Sequence, residues 1–161
     1  MSLSLRPMTD DEFVAFRAYA VDHYGVDVAR SKGLSAEDGR ADAERQTAAL
    51  LPDGNATAGQ LLFVAVDGAG GGDGAAVGTL WLSTTTPDGL DAGWIYDVEI
   101  DASHRGKGYG RELMRLAEHK CRELGLTSLG LNVFGPNVVA RQLYESLGYE
   151  ITAQSMAKPL D

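Results

Sequence analysis

The segment Asp97-Val98-Glu99-Ile100-Asp101-Ala102-Ser103-His104-Arg105-Gly106-Lys107-Gly108-Tyr109-Gly110 joins an apolar run of strand length to a helical pattern, and it gathers the residue types that hold anions. Glycines at 106, 108 and 110 let the backbone turn tightly and bring its N–H groups close to a ligand. A helix that starts there adds unpaired donors and the partial positive charge of its N-terminus. Arg105 and Lys107 supply mobile positive charge, so the segment is an anion site by construction. It is neither of two common nucleotide loops. A Walker A loop needs Gly-x-x-x-x-Gly-Lys-Ser/Thr and the dinucleotide fingerprint needs Gly-x-Gly-x-x-Gly, whereas the spacing here is Gly-x-Gly-x-Gly. No Gly-x-Ser-x-Gly elbow is present, which argues against a serine hydrolase.

A second stretch, Asn137-Val138-Val139-Ala140-Arg141-Gln142-Leu143-Tyr144-Glu145-Ser146-Leu147-Gly148-Tyr149, lies downstream. Arg-x-x-Gly-x-Gly between a strand and a helix closely resembles the pyrophosphate loop of the GNAT superfamily of acyl-CoA-dependent N-acyltransferases. The second stretch is similar to that superfamily's C-terminal signature, Asn-x-x-Ala-x-x-Leu-Tyr-x-x-x-Gly-Tyr/Phe. The resemblance covers residues 94–149 and implies an N-acetyltransferase that moves an acetyl group from acetyl-CoA to a primary amine, by direct attack through a tetrahedral intermediate.

Residue by residue, the resemblance implies that the backbone of Val98, Glu99 and Ile100 pairs with the pantetheine arm as a further strand would. Arg105, Gly106, Lys107, Gly108, Tyr109 and Gly110 would hold the pyrophosphate of acetyl-CoA, the cosubstrate, through their N–H groups. Asn137 would hydrogen-bond the pantetheine arm. Tyr144 would place its hydroxyl near the thioester sulfur and act as the catalytic acid. The implied acceptor is a small-molecule or peptide amine. Alternatives are a non-catalytic module that senses CoA, or an acyltransferase with a longer acyl donor or a hydroxyl acceptor.

Direct transfer sets a chemical requirement. A lysine-like amine has a pKa near 10.4, so bringing it to its neutral form at pH 7 spans about 3.4 units, or roughly 4.6 kcal/mol. A base or water chain must therefore take a proton, and a strand N–H such as that of Val98 is placed to stabilise the oxyanion. Relatives that modify protein N-termini carry a glutamate where this chain has Asn132, a departure that argues against such a substrate. Glu99 is the first candidate base, with Asp97 and a water chain as the others. Strict alternation would put both carboxylates on the face opposite Tyr96, Val98 and Ile100.

Other residues have plainer readings. Cys121 falls on an apolar helix face and reads as core, His104 as a turn residue beside the anion loop, and Trp81, Trp94 and Tyr96 as core or acceptor-site wall. Asn137 would be explained by helix capping alone. No Cys/His set has metal-ligand spacing, and no metal is expected.

The elements that must position these groups follow from periodicity. Leu3 and Leu5 mark a short edge strand ending at Pro7. Thr9-x-x-Glu12 has capping-box form and opens a helix to about Tyr24; Ser35 caps a second helix that Pro52 and Gly54 close. Strands are expected at 61–66, 77–82, 93–100 and 129–134, a helix from Gly110 to Gly125, a short helix after Asn137, and a closing strand over 149–157. Five glycines (Gly68, Gly70, Gly71, Gly72 and Gly74) read as a hairpin tip between the second and third strands. The order β-α-α-β-β-β-α-β-α-β implies an α/β (α+β) fold with a mixed, mostly antiparallel central sheet and helices on both faces, as one N-acetyltransferase domain over residues 1–161.

Composition agrees with this picture. The 161 residues are 44% apolar and carry a formal net charge of −9, enough for a packed core and unfavourable for a nucleic-acid partner. The average hides a basic island, since Arg105, Lys107, Arg111, Arg115, Lys120 and Arg122 face only Glu112 and Glu118 in that stretch. The acidic remainder favours a cationic acceptor. A lone cysteine, no signal-like N-terminus and no long apolar run lead to the expectation of a cytoplasmic protein without a membrane partner. The short C-terminus leaves room for a partner subunit, so a homodimer stays open.

Overall fold

The structure, a computed structural model, describes residues 2–68 and 74–161. Its elements are β1 (Leu3–Pro7), α1 (Asp10–Lys32), α2 (Ala36–Leu50), β2 (Gln60–Asp67), β3 (Ala75–Ser83), β4 (Gly93–Ile100), α3 (Tyr109–Glu123), β5 (Leu129–Leu131) and α4 (Val138–Ser146). The strands form one mixed sheet in the order β1-β2-β3-β4-β5, antiparallel except for the parallel β4–β5 pair. The expected glycine hairpin tip, with Gly70, Gly71 and Gly72, lies outside the described residues.

Alternation along the strands splits the core in two. Phe63, Ala65, Leu80, Leu82 and Ile95 pack on one face against Leu113, Met114, Ala117 and Cys121 of α3, with Tyr144 of α4 and Leu147 just after it at the margin. Leu62, Val64, Val66 and Trp81 pack on the other against Phe13 and Phe16 of α1. Helices therefore cover both faces of the sheet, and Cys121 is core.

The capping box at Thr9 and Glu12 forms as expected, and Arg6 braces it with paired bonds to Glu12 at 2.7 and 2.9 Å. That pairing, with the Thr9 N–H, holds the Glu12 carboxyl down at about 2. Three expectations are corrected. α1 does not end near Tyr24 but runs to Lys32, because Gly25 is a contact point rather than a stop. A Cβ at Gly25 would lie 2.9 Å from Cα of Arg40, and one at Gly39 2.5 Å from the Gly25 carbonyl oxygen, so the two glycines let α1 and α2 touch through their backbones. The helix stops at Gly33, which takes a left-handed φ of 67°.

β5 is shorter than 129–134 and stops at Leu131. The closing strand over 149–157 does not form: residues 150–161 are exposed and carry no regular secondary structure. A strand needs a partner for its backbone, and a three-residue β5 is a poor template. Among the described residues no helix is long and apolar enough to cross a membrane, and no group of His, Cys, Asp and Glu is arranged to hold a metal ion.

Candidate active site

β4 and β5 pair only over Gly93 to Ile95 and Leu129 to Leu131, and then part. From Tyr96 to Ile100 the edge of β4 that faces away from β3 has no strand partner among the described residues. Gly130 permits the close pairing before the split, since a Cβ there would strike the Trp94 ring at 2.8 Å. Val98, Glu99 and Ile100 thus offer a backbone edge to an extended ligand.

The anion loop lies beyond the open end of that edge. Gly106 and Gly108 adopt left-handed φ values of 75° and 87°, and Gly108 caps α3 with no side-chain bond. The amides of Gly106, Lys107, Gly108, Tyr109, Gly110 and Arg111 have no acceptor among the described residues, while Glu112 makes the first helical bond, to Gly108. Six free donors at a helix start can receive an anion. The Tyr109 side chain takes no part: it is buried and donates to Asp67 at 2.6 Å, fastening the start of α3 to the end of β2. Gly110 lets α3 and α4 come together, since a Cβ there would already lie 3.3 Å from the Leu143 side chain.

Between β3 and β4 the register slips, so that Trp81 faces Asp97 and Leu82 faces Ile95, leaving Tyr96 as the extra residue of a bulge. Strict alternation fails there. Tyr96 packs on the α1 side, 4.8 Å from the Trp81 ring, and shares that face with Asp97 and Glu99 rather than opposing them. Val98 and Ile100 do turn to the α3 side, as expected.

Glu99 and Asp97 are consequently in different situations. Oε1 of Glu99 accepts from the Tyr19 hydroxyl at 2.5 Å and from Arg105 at 3.0 Å, and Arg105 also donates to the Ile100 carbonyl at 2.8 Å. The acidic neighbour pushes the Tyr19 phenol up to about 12. The Asp97 carboxyl is pushed up to about 7, first by burial and then by the negative charge of Glu99, with His23 and the Val98 N–H pulling the other way. His23 stacks on Tyr19 with ring centres 3.7 Å apart. Tyr144, half-buried on α4, is held protonated by burial and by the charge of Asp97.

Asn137 caps α4, its side-chain oxygen accepting from the Ala140 N–H at 3.3 Å, and its side-chain N–H groups have no acceptor among the described residues. Lys107 bonds the Ser103 carbonyl at 3.3 Å, and His104 lies edge-on to Tyr109 in the turn. A hollow of about 590 Å³ is lined by Trp94, by β5 and by Tyr144, but by neither Asp97 nor the amide loop. Tyr19 escaped sequence reasoning and His23 reads there as a histidine without a partner at ligand spacing; their signal is the four-residue spacing that places them on one face of α1.

Residues 28–149 match the sequence profile of the acetyltransferase (GNAT) family. The chain is 29% identical, over 99% of its own length and 100% of the other's, to YycN of Bacillus subtilis, described as an uncharacterized N-acetyltransferase. The crystal structure of YycN superposes with a TM-score of 0.88 over 99% of both chains. A mycothiol acetyltransferase of Kytococcus sedentarius is 34% identical over 94% of this chain and 46% of its own length. At 16% identity and a TM-score of 0.59, AAC(6')-Iy in complex with a CoA-linked bisubstrate analog shares the fold.

Proposed function

Since the chain belongs to the acetyltransferase (GNAT) family and is an acyltransferase, we propose that it transfers an acetyl group from acetyl-CoA to a primary amine, with Asp97 as base and Tyr144 as acid. The observation that carries this reading is the parting of β4 and β5, with six free amides beyond its open end and Tyr144 near enough to Asp97 to feel its charge.

The residues present fit acetyl-CoA. The Gly106 to Arg111 amides and the basic island suit a pyrophosphate, and the unpaired edge of β4 suits the amide groups of a pantetheine arm. Acetyl-CoA supplies an activated thioester carbonyl. Asp97, ionised above about pH 7, accepts the proton of an incoming ammonium group. The amine nitrogen bonds the acetyl carbon, the carbon–sulfur bond breaks, and Tyr144 protonates the departing sulfur. Tyr144 recovers its proton from the new amide nitrogen and Asp97 releases the other to solvent, so ammonium and acetyl-CoA give amide, CoA thiol and one proton, with no covalent enzyme intermediate.

Glu99 remains a competitor for the role of base. What favours Asp97 is that both donors on Glu99 come from the protein itself, Tyr19 and Arg105, and tie its carboxylate between α1 and the anion loop. Glu99 then acts through Asp97, as the nearby charge that raises it.

Incubation with acetyl-CoA and a panel of amines, following free thiol, tests the reading. Acceptor-dependent thiol release supports it. Tight CoA binding without release, across the panel, supports a cofactor sensor instead.

A further inference from the structure

Beyond its first turn, the charges of α1 sort into two groups. Arg17, Asp22 and Lys32 each pair with a charge on α2, respectively Glu44, Arg40 and Asp42. Asp27 and Arg30 do not. Neither forms an ion pair among the described residues, though they are three apart on one helix, and both line a hollow of about 240 Å³ closed opposite by Phe134, Pro136 and Asn137. This hollow exists because α1 runs two turns past Tyr24 and reaches the loop between β5 and α4.

An aromatic wall leads inward from it. The Tyr24 ring lies 6.2 Å from that of Phe134, and one turn back along α1 Ala20 packs against the same core cluster as Tyr96, the bulge residue next to Asp97. One end of the path therefore offers a negative and a positive side chain one helical turn apart. The other end offers the base. An aliphatic chain suits the aromatic stretch between them.

We infer that the acceptor is a free basic amino acid, with Asp27 taking its α-ammonium, Arg30 its α-carboxylate, and its side-chain amine presented to Asp97 for acetylation. This rests on the acetyl-transfer reading above. A polyamine would leave Arg30 without an anion, and a lysine within a peptide would bring neither α-charge. In the step Asp97 takes one proton from the side-chain ammonium, the nitrogen bonds the acetyl carbon as the carbon–sulfur bond breaks, Tyr144 protonates sulfur and recovers its proton from the new amide nitrogen, and the proton on Asp97 goes to solvent. Acetylated amino acid and CoA thiol result.

The test compares thiol release with L-lysine, L-ornithine, cadaverine and Nα-acetyl-lysine amide, in the wild type and in Arg30→Gln. A hydrogen-bonded charge pair is worth roughly 10- to 100-fold in affinity, so one of the two free amino acids exceeds cadaverine by that factor in kcat/KM. Arg30→Gln brings the ratio to near unity, chiefly through KM, and calorimetric binding of the preferred amino acid weakens in parallel. Arg30 is exposed, so the variant keeps its fold. Cadaverine used as well as the amino acids, or a ratio unmoved by Arg30→Gln, overturns the inference while leaving acetyl transfer intact. Absence of thiol release with every amine overturns both.

Discussion

Tyr19 of α1 donates to the carboxylate of Glu99 on β4 at 2.5 Å, and Arg105 of the anion loop shares the same oxygen at 3.0 Å. One carboxylate thus joins α1 to the strand and loop that suit the proposed acyl donor. Its charge reaches Asp97 two residues away, which sets up the pH behaviour of the site.

Removing the Glu99 charge should lower the Asp97 pKa, because that charge is one of its two raising influences. In Glu99→Gln the acid limb of kcat/KM moves to lower pH. In His23→Gln it moves to higher pH, since His23 pulls the carboxyl down. Stopped-assay profiles from pH 5 to 9 check both directions; a limb that moves the same way in both variants contradicts the assignment.

Tyr144→Phe deletes the hydroxyl proposed as acid but keeps the ring that packs at the core margin. Loss of a general acid typically reduces turnover by about 10²- to 10⁴-fold. The KM for acetyl-CoA should stay within about threefold by the same reasoning that the hydroxyl acts in the transition state. Steady-state kinetics at saturating acceptor separate these terms, and an unchanged kcat removes Tyr144 from the chemistry.

At Gly108 the φ of 87° lies in the left-handed region, where a side chain is strained by roughly 1–2 kcal/mol. Gly108→Ala should twist the free amides out of line and raise the Kd for CoA by about tenfold, the equivalent of some 1.4 kcal/mol. Isothermal titration with CoA reads this without reference to any acceptor.

Asp97 also carries a stability consequence. Its folded pKa is about 7 against an ordinary value of 3.8, so the folded protein prefers the protonated form. Stability from this group is fully present below about pH 4 and is lost as pH rises through about 7. Asp97→Asn, which is neutral throughout, should therefore gain on the wild type as pH rises from 4 to 8. Thermal melts across that range give the sign; a gap that narrows with pH would be the opposite result.

Much of the site could be read from the chain because the chemistry is local. Gly106, Gly108 and Gly110 announce an amide cradle by spacing alone, and Asn137 caps α4 as its type suggests. What escaped depends on partners distant in sequence. A helix ending near Tyr24 is expected until Gly25 is seen against Gly39, and the bulge at Tyr96 follows from how β3 meets β4, not from either strand's pattern. Residues 149–157, expected as a closing strand, find no edge to join, since β5 stops at Leu131. Tyr19 reaches Glu99 across 80 positions, beyond any local motif.

The most direct measurement is the pH dependence of acceptor-dependent thiol release from acetyl-CoA, in the wild type and in Asp97→Asn. Wild-type kcat/KM should climb with pH and level off above about 7, where Asp97 is ionised. Asp97→Asn should lose that limb and fall by about 10²- to 10⁴-fold near neutrality. An Asp97→Asn enzyme that keeps the same limb at the same rate would contradict Asp97 as the base.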